Sequence, residues 1–189
     1  MVSFKQCEEL FVENGLEYSE TLHEKLCIYY EFLIEYNKKI NLTAITECEE
    51  VWIKHFLDSI LLTKYAKIPE KASLIDVGTG AGFPSVPLKL YREDINITLL
   101  DSLNKRIKFL DELCEKLGIK VITVHSRAED AAKNVLYREK FDVATARAVA
   151  AMPVLCEYCM GFVKKGGIFA ALKGCLLYTS PSPRDLSTS

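Results

Sequence analysis

The chain has 189 residues and a formal net charge of −2, and 49% of its residues are hydrophobic. This length and hydrophobic content allow a buried core and suit one domain with a small appendage. The near-neutral charge gives no general attraction to nucleic acid, so RNA binding has to come from a local basic patch. No apolar stretch approaches the roughly 20 residues that cross a bilayer, and the N-terminus has no signal-peptide pattern. We therefore expect a cytoplasmic protein with no membrane partner.

The first 70 residues have the pattern of helices. From residue 4 to residue 67, apolar side chains recur at helical spacing, which predicts two or three helices before the first strand. Residues 41–45 interrupt this spacing between two helices, and Ile68-Pro69-Glu70 forms a short linker. We expect residues 1–70 to form an N-terminal helical extension that packs on the sheet of the following domain.

Beyond residue 70, short apolar runs alternate with helical patterns. The predicted strands lie near residues 73–77, 97–101, 121–125, 141–146 and 167–172, and the helices between them start near Pro84, Lys105, Arg127 and Met152. This alternation predicts an α/β architecture with a doubly wound, mainly parallel, Rossmann-like sheet. The domain is expected to span residues 71–174.

Residues 175–189 differ from the rest of the chain. They are rich in Ser, Pro and Thr and have no hydrophobic period. Residues 177–185 resemble translated sequencing-adapter read-through rather than natural protein. We therefore expect a non-native tail, and we expect the domain before it to be incomplete, with its final strands missing.

The seven cysteines are scattered along the chain. They lack the paired spacing of a zinc site or of a compact disulfide framework, so we expect reduced thiols and no bound metal. Cys156 and Cys159 form a Cys-x-x-Cys pair inside an apolar helical stretch, where buried thiols are favoured over a redox or zinc role.

A glycine-rich segment follows the first predicted strand. Gly78, Gly80 and Gly82 alternate after Asp76, and a second acid, Asp101, ends the next strand. Such glycines let the chain turn sharply and let a ligand approach the backbone, while a carboxylate at the next strand end can accept hydrogen bonds from ribose hydroxyls. The spacing differs from the Gly-x-Gly-x-x-Gly of dinucleotide sites and resembles motif I of S-adenosylmethionine (SAM) dependent methyltransferases. The alternative is a tight strand-to-helix connection without a ligand.

Seven motifs, in chain order, resemble one protein family. They are residues 41–45 (Asn-Leu-Thr-Ala-Ile), 55–59 (His-Phe-Leu-Asp-Ser), 78–84, 100–106, 127–129, 145–149 and 171–174. Together they resemble the RsmG (GidB, glucose-inhibited division protein B) family over residues 4–174. The resemblance implies a class I SAM-dependent methyltransferase fold and a bacterial enzyme that methylates N7 of one guanine, 527 in standard numbering, of 16S rRNA in the small ribosomal subunit. We expect a monomer.

The residues present are compatible with methylation at guanine N7. Methylation of an exocyclic amine usually uses an Asn/Asp-Pro-Pro-aromatic motif after the fourth strand, and methylation of a pyrimidine carbon uses a cysteine nucleophile near the same strand end. Residues 145–147, Thr-Ala-Arg, offer neither. Because N7 carries an in-plane lone pair and loses no proton, positioning the base suffices, and we expect no catalytic general base.

The resemblance and the glycine motif together imply roles for individual residues. The cofactor-binding positions are Gly78, Gly80, Phe83, Asp101, Ala128, Glu129 and Arg147, and the candidate positions at the guanine entrance are Asn41, His55, Asp58 and Lys173. The candidate RNA contacts, which are also typical of a solvated face, are Lys38, Lys39, Lys54, Lys105, Arg106, Lys108, Lys164 and Lys165.

Several of these residues have a second interpretation. Phe83 suits a hydrophobic staple for the next helix, Glu129 suits the first turn of a helix, and Asn41 suits a helix cap. His55 falls on the apolar face of its helix, where a core histidine is the commoner outcome. Arg147 suits the target nucleotide nearly as well as the cofactor.

Three other functions stay open at this point. A methyltransferase for a small molecule would share the glycine loop but require an apolar pocket. A nicotinamide-dependent oxidoreductase is disfavoured by the glycine spacing and by the lack of a Tyr-x-x-x-Lys pair. A noncatalytic RNA-binding module is disfavoured because the cofactor motif would have no purpose in it.

Overall fold

The computed structural model of the chain describes residues 2–147 and 152–172. Lys173 and the tail predicted at residues 175–189 lie outside the described residues. Within the described ranges, none of the helices is both long and apolar enough to cross a bilayer.

Three helical regions precede the sheet, as the apolar spacing predicts. They are α1 (Phe4–Glu13), α2 (Glu20–Asn37) and a third region made of α3 (Cys48–Val51), a π-helical segment (Trp52–Leu57) and α4 (Asp58–Tyr65). Ser3 and Ser19 cap the first two helices by accepting a backbone N–H from the first turn. Single π-helical turns are frequent at functional sites, and this one carries His55.

Five parallel strands form one sheet in the described part of the chain. They are β1 (Ser73–Val77), β2 (Asn96–Asp101), β3 (Ile122–His125), β4 (Phe141–Arg147) and β5 (Val163–Leu172), in the order β3-β2-β1-β4-β5. The connecting helices are α5 (Ser85–Tyr91), α6 (Asn104–Leu117), α7 (Ala128–Ala131) and α8 (Met152–Met160). The chain therefore winds outward from β1 in both directions, and the predicted doubly wound sheet is confirmed.

The fifth strand begins earlier than predicted. It starts at Val163 rather than near residue 167, because Val163 pairs with Phe141 before an irregular register shift, and regular pairing resumes at Ile168. Gly166, with a φ of +82°, and its charged neighbours have the composition of a turn, which hides this bulge in the sequence.

Two hydrophobic cores cover the two faces of the sheet. Leu74 and Ile75, which are neighbours on β1, point to opposite faces: Leu74 joins the larger core and Ile75 the smaller one. The larger core contains side chains of the N-terminal helices, and α2 contacts both α5 and α6. The smaller core contains Leu155 and Cys159 of α8. Burial raises the pKa of the Cys159 thiol to about 12, which suits packing rather than redox or metal chemistry.

Candidate functional site

The glycine loop leaves β1 at the edge of the sheet where all the parallel strands end. The N–H groups of Gly78 and Thr79 both donate to Leu100 O, at 2.8 Å and 3.1 Å, so the loop is held against the end of β2. Gly80 has a φ of +59°, a conformation that favours glycine. A Cβ at Gly82 would lie 2.8 Å from Tyr29 Oη, so only glycine allows α2 to approach the loop this closely.

Asp101 ties the end of β2 to the glycine loop. Its Oδ2 accepts the N–H of Gly80 at 2.9 Å, and its Oδ1 accepts the N–H of Leu103 at 2.9 Å. Arg106 lies 3.4 Å away as an ion-pair partner. A carboxylate has about four lone-pair sites, so these contacts leave acceptor capacity toward the cavities that Asp101 borders.

Two cavities meet beside Asp101. The smaller, of about 220 Å³, lies between the ends of β1 and β2 and the segment after β3. Ala128 and Glu129, both predicted from the sequence, line it, and so does Tyr158 of α8, which sequence reasoning missed. The Glu129 carboxylate beside Tyr158 raises the pKa of that phenol. Glu129 also stands in the first turn of α7, as its second interpretation predicts, and its cofactor-binding role stays a prediction.

The larger cavity, of about 440 Å³, continues from the smaller one over the glycine loop. Both cavities share Gly78, Asp101 and Ser102 as lining residues. The side chains that line the larger one are mostly polar or charged, namely Thr43, His55, Thr79, Asp101, Arg106 and Arg147, together with Leu42 and Phe83. Because they share these residues, we treat the paired cavities as a single bent cleft, whose wider arm is lined by two arginines, Arg106 and Arg147.

Arg147, at the end of β4, is the central cation of the larger cavity. Its Nη1 donates to Lys54 O at 3.2 Å and lies 3.5 Å from Asp58 Oδ2, while its Nη2 lies 3.0 Å from His55 Nδ1. The guanidinium also lies over the Phe83 ring, at 4.8 Å from its centroid. These contacts hold a half-buried cation in a defined orientation while it still borders the cavity.

His55 is a buried histidine that also lines the cavity. Thr43 contacts the side of the imidazole ring that faces away from Arg147: its Oγ1 lies 3.0 Å from His55 Nε2. Burial, and then the charge of Arg147, lower the pKa of His55 to about 4. The imidazole is therefore neutral near pH 7, and its ring nitrogens are both engaged, which agrees with the core-histidine interpretation.

Phe83, which lines the larger cavity, is part of an aromatic stack. Its ring stacks on Tyr29, with centroids 5.2 Å apart, and on His55, with centroids 4.4 Å apart. The Tyr29 hydroxyl donates to Ala81 O at 2.5 Å. The N-terminal helices are thus connected to the glycine loop through Tyr29, a residue that sequence reasoning missed because it sits on an ordinary apolar helix face.

Asp76 lies buried below the glycine loop. Its Oδ2 accepts the Thr79 hydroxyl at 2.8 Å, whereas its Oδ1 has no hydrogen-bond partner among the described residues. Burial raises the pKa of Asp76 to about 7. The sequence shows Asp76 as part of the glycine motif but not that burial raises the pKa of its carboxyl.

The remaining predicted residues lie at different distances from the cleft. Asp58 faces Arg147 from α4. Burial raises the pKa of the Asp58 carboxyl, although the charge of Arg147 lowers it. Asn41 is exposed in the 41–45 loop and caps neither neighbouring helix, since α2 has already ended at Asn37 and α3 follows Glu47; the helix-cap interpretation of Asn41 is wrong. The amide that organises this loop belongs to Asn37, and an Asn at a helix end is the only sequence signal for it.

Five of the eight candidate RNA contacts lie at two opposite ends of the sheet. Lys54, Lys105 and Arg106 lie at or next to residues that line the cleft. Lys164 and Lys165 stand at the start of β5 instead. Because parallel strands share a direction, this pair lies at the edge of the sheet opposite the cleft.

Two solved SAM-dependent methyltransferases share this fold. A SAM-dependent methyltransferase from Aquifex aeolicus has a TM-score of 0.53 and 21% identity, over 73% of this chain and 71% of that one. A SAM-dependent methyltransferase from Thiobacillus denitrificans, solved in complex with S-adenosyl-L-homocysteine, has a TM-score of 0.52 and 20% identity, over 75% of this chain and 54% of that one. At this identity the likeness shows the fold alone, which is the class I methyltransferase fold that the motifs predict.

Curated relatives are much more similar in sequence. The chain is 56% identical over 161 residues to ribosomal RNA small subunit methyltransferase G of Clostridium botulinum (strain Eklund 17B / Type B), covering 85% of this chain and 67% of that protein. It is 53% identical over 171 residues to the protein of the same name from Clostridium perfringens (strain 13 / Type A), covering 90% and 70%. The chain therefore spans about two thirds of the length of these relatives.

The family model agrees with these relatives. The model described as GidB, rRNA small subunit methyltransferase G, matches residues 22–179. This range contains the glycine loop, both arms of the cleft and the π-helical segment. The resemblance predicted from the seven motifs is confirmed, and the chain belongs to the GidB family, rRNA small subunit methyltransferase G.

Proposed function

We propose that this protein transfers the methyl group of SAM to N7 of a guanine of 16S rRNA, 527 in standard numbering, in the small ribosomal subunit. The observation that carries the proposal is the bent cleft over the glycine loop, in a chain of this family. One arm has the size and polar groups for an adenosine, and the other has the cations and the open space for a methionine end and an incoming nucleotide.

The residues of the cleft fit SAM arm by arm. In the smaller arm, the Ala128 N–H and the Glu129 carboxylate provide a donor and an acceptor for the adenine edge, and Tyr158 adds an aromatic wall. Asp101, between the arms, keeps acceptor capacity for ribose hydroxyls. In the larger arm, the glycine loop and Phe83 surround the methionine end, and Arg147 provides the countercharge for its carboxylate.

Methyl transfer to guanine N7 requires the side chains of the cleft to position the reactants. Bound SAM supplies an electrophilic methyl group on a sulfonium. Guanine N7 attacks with its own lone pair and releases no proton, so the cleft has to align the two reactants and exclude water. His55 is not placed to act as a base, because its Nδ1 lone pair already faces the guanidinium of Arg147. Arg106, which lines the same arm, suits a phosphate beside the target guanine, and Arg147 is the alternative contact to that phosphate if it does not hold the SAM carboxylate.

The domain bounds, the oligomeric state and the cellular location are part of the same proposal. We propose residues 1–70 as a helical extension, residues 71–174 as the SAM-binding domain and 175–189 as a non-native tail, in a monomeric, cytoplasmic protein. The basic residues next to the cleft suit an RNA backbone. The polar lining of the larger arm disfavours the small-molecule alternative, which requires an apolar pocket.

The decisive experiment measures where a labelled methyl group goes. We expect label from SAM to enter 30S subunits that lack this modification, and mass mapping to locate one N7-methylguanine at the proposed position. Subunits that already carry the modification are the matched control and should accept no label. Transfer to another nucleotide, or to small molecules but not to subunits, would overturn the proposal.

A further inference from the structure

The 41–45 loop is clamped by one amide. Asn37 Oδ1 accepts the N–H groups of Leu42 and Thr43, at 2.7 Å and 3.0 Å, and Asn37 Nδ2 donates to Thr43 O at 3.0 Å. Two of these three bonds hold the backbone of Thr43 itself. The loop therefore presents the Thr43 side chain from a fixed position on the wall of the larger arm.

The Thr43 hydroxyl faces the ring of His55. Its Oγ1 accepts the N–H of Ile45 at 3.1 Å and lies 3.0 Å from His55 Nε2. A hydroxyl oxygen has two acceptor lone pairs. Its own proton is directed at Ile45 O, 3.5 Å away, so Oγ1 accepts from Ile45 and presents an acceptor rather than a donor to His55 Nε2.

Arg147, on the other side of the ring, is compatible with the same position of the proton. Arg147 Nη2 lies 3.0 Å from His55 Nδ1, and an arginine nitrogen only donates hydrogen bonds. Nδ1 must then be the acceptor, which leaves the proton on Nε2, facing Thr43. The opposite tautomer also has a partner within reach, since Lys54 O lies 3.1 Å from Nδ1. In that tautomer, however, Nδ1 carries a hydrogen and no longer accepts from Arg147.

We propose that Thr43, held by Asn37, is a positioning residue for Arg147. By accepting the proton-bearing Nε2 of His55, Thr43 selects the tautomer whose Nδ1 lone pair holds the guanidinium in the larger arm. The inference deepens the proposed function and rests on it only in taking Arg147 as a contact to SAM or to the target nucleotide. It gives the Asn-Leu-Thr-Ala-Ile motif a role at the site through Thr43 rather than through Asn41.

The test compares Thr43→Val with Thr43→Ser in the full chain. Valine keeps the shape of threonine but cannot accept a hydrogen bond, whereas serine keeps the hydroxyl. Long-range ¹H–¹⁵N NMR of the ligand-free protein reports the tautomer of each of the three histidines, and His55→Gln assigns the His55 signals. We expect the parent and Thr43→Ser to show Nε2–H, and Thr43→Val to shift toward Nδ1–H.

Steady-state kinetics provide the second measurement. We expect Thr43→Val to raise KM about tenfold for the ligand that Arg147 contacts, SAM or the 30S subunit, as for a lost hydrogen bond to a charged group. We expect kcat to stay within about twofold, and Thr43→Ser to restore KM. Asn37→Ala, which keeps the hydroxyl but releases the loop, should change both readings in the same direction and serves if Thr43→Val folds poorly.

Several results would overturn the inference. An unchanged Nε2–H signal in Thr43→Val would show that Thr43 does not select the tautomer. A shifted tautomer with parental KM values would show that the tautomer does not position Arg147. Equal effects of Val and Ser would assign the role to packing. Because the NMR reading needs neither SAM nor RNA, it separates failure of this inference from failure of the proposed methyl transfer.

Discussion

His55 lies between a hydroxyl group and a guanidinium, and both neighbours act on its proton. The pKa of about 4 means that His55 stays neutral over the range in which most histidines titrate. A histidine in a catalytic cleft is usually read as a base, but the partners of this one leave no free lone pair. In the proposed arrangement it holds Arg147, and we expect the attack on the methyl group to proceed without His55 as a base.

The rate of the chemical step should therefore be independent of pH. With SAM and 30S subunits both saturating, we expect single-turnover transfer to vary less than about twofold between pH 6 and pH 9. Asp76→Asn is the control, because Asp76 is the buried acid that titrates within this range, and it removes any contribution from that group. A rate that rises tenfold per pH unit in both proteins would indicate a deprotonated nucleophile and would contradict attack by N7.

Asp76 should make the fold less stable as the pH rises. Its folded-state pKa of about 7 lies above the ordinary value of 3.8, so the folded protein holds this proton after the unfolded chain has lost it. The stabilising effect is fully present below pH 3.8 and is lost as the pH rises through 7. Each pKa unit corresponds to about 1.4 kcal/mol. Between pH 4 and pH 8 the unfolding free energy of the parent should therefore fall by roughly 2–4 kcal/mol relative to that of Asp76→Asn, which has no carboxyl to ionise.

Denaturant unfolding at several pH values measures this difference. Asp142→Asn is the matched control, because a hydrogen bond from Lys164 lowers the pKa of Asp142 to about 2. The contribution of Asp142 is present above pH 3.8 and is lost only as the pH falls through 2, so its variant should differ from the parent by a constant amount between pH 4 and pH 8. A constant difference for Asp76→Asn as well would mean that Asp76 is ionised throughout.

At the scale of secondary-structure elements, α2 contacts the glycine loop through one side chain. Tyr29 donates its hydroxyl to Ala81 O and stacks on Phe83. Gly82 permits this approach, since any larger residue would meet the Tyr29 hydroxyl. The helical extension therefore does more than cover the sheet: it determines where the loop backbone lies.

Removing this hydroxyl should weaken cofactor binding while the fold persists. Tyr29→Phe keeps the ring stack but leaves a buried carbonyl without its donor, which costs about 1–3 kcal/mol. We expect calorimetry to show SAM bound roughly five- to tenfold more weakly. Tyr36→Phe on the same helix is the control, because its hydroxyl bonds the exposed Glu112 at 3.1 Å, and it should bind SAM as the parent does. Equal binding by all three proteins would remove α2 from the cofactor site.

The elements themselves were predictable because their signals are local. Apolar runs, alternating glycines and an acid after each of two strands lie within a few residues of one another, and they predict the sheet and the loop. The contact between His55 and Arg147 joins residues 92 apart in the chain, and nothing in either segment indicates the other. Tyr158 was missed for the same reason. The start of β5 was missed because its bulge has the composition of a turn.

At the scale of the whole molecule, topology separates charges that the sequence leaves equivalent. The net charge is −2, so the protein has to attract RNA through the distribution of its charges. Lys105, in the first turn of α6, is exposed and adjoins Arg106 at the cleft. Lys165 is equally exposed but stands at the start of β5, at the opposite edge of the sheet.

Reversal of these two charges should have different effects on RNA binding. Each phosphate contact releases condensed counterions, so losing one contact lowers the slope of log affinity against log salt by about 1. We expect Lys105→Glu to weaken binding of 30S subunits and to reduce this slope, whereas Lys165→Glu, with the same change in net charge, should leave both at the parental values. SAM affinity should be the same in all three proteins, since neither lysine lines either arm of the cleft. Equal losses in the two variants would indicate that only net charge matters, and a loss confined to Lys165→Glu would place the RNA on the opposite edge of the sheet.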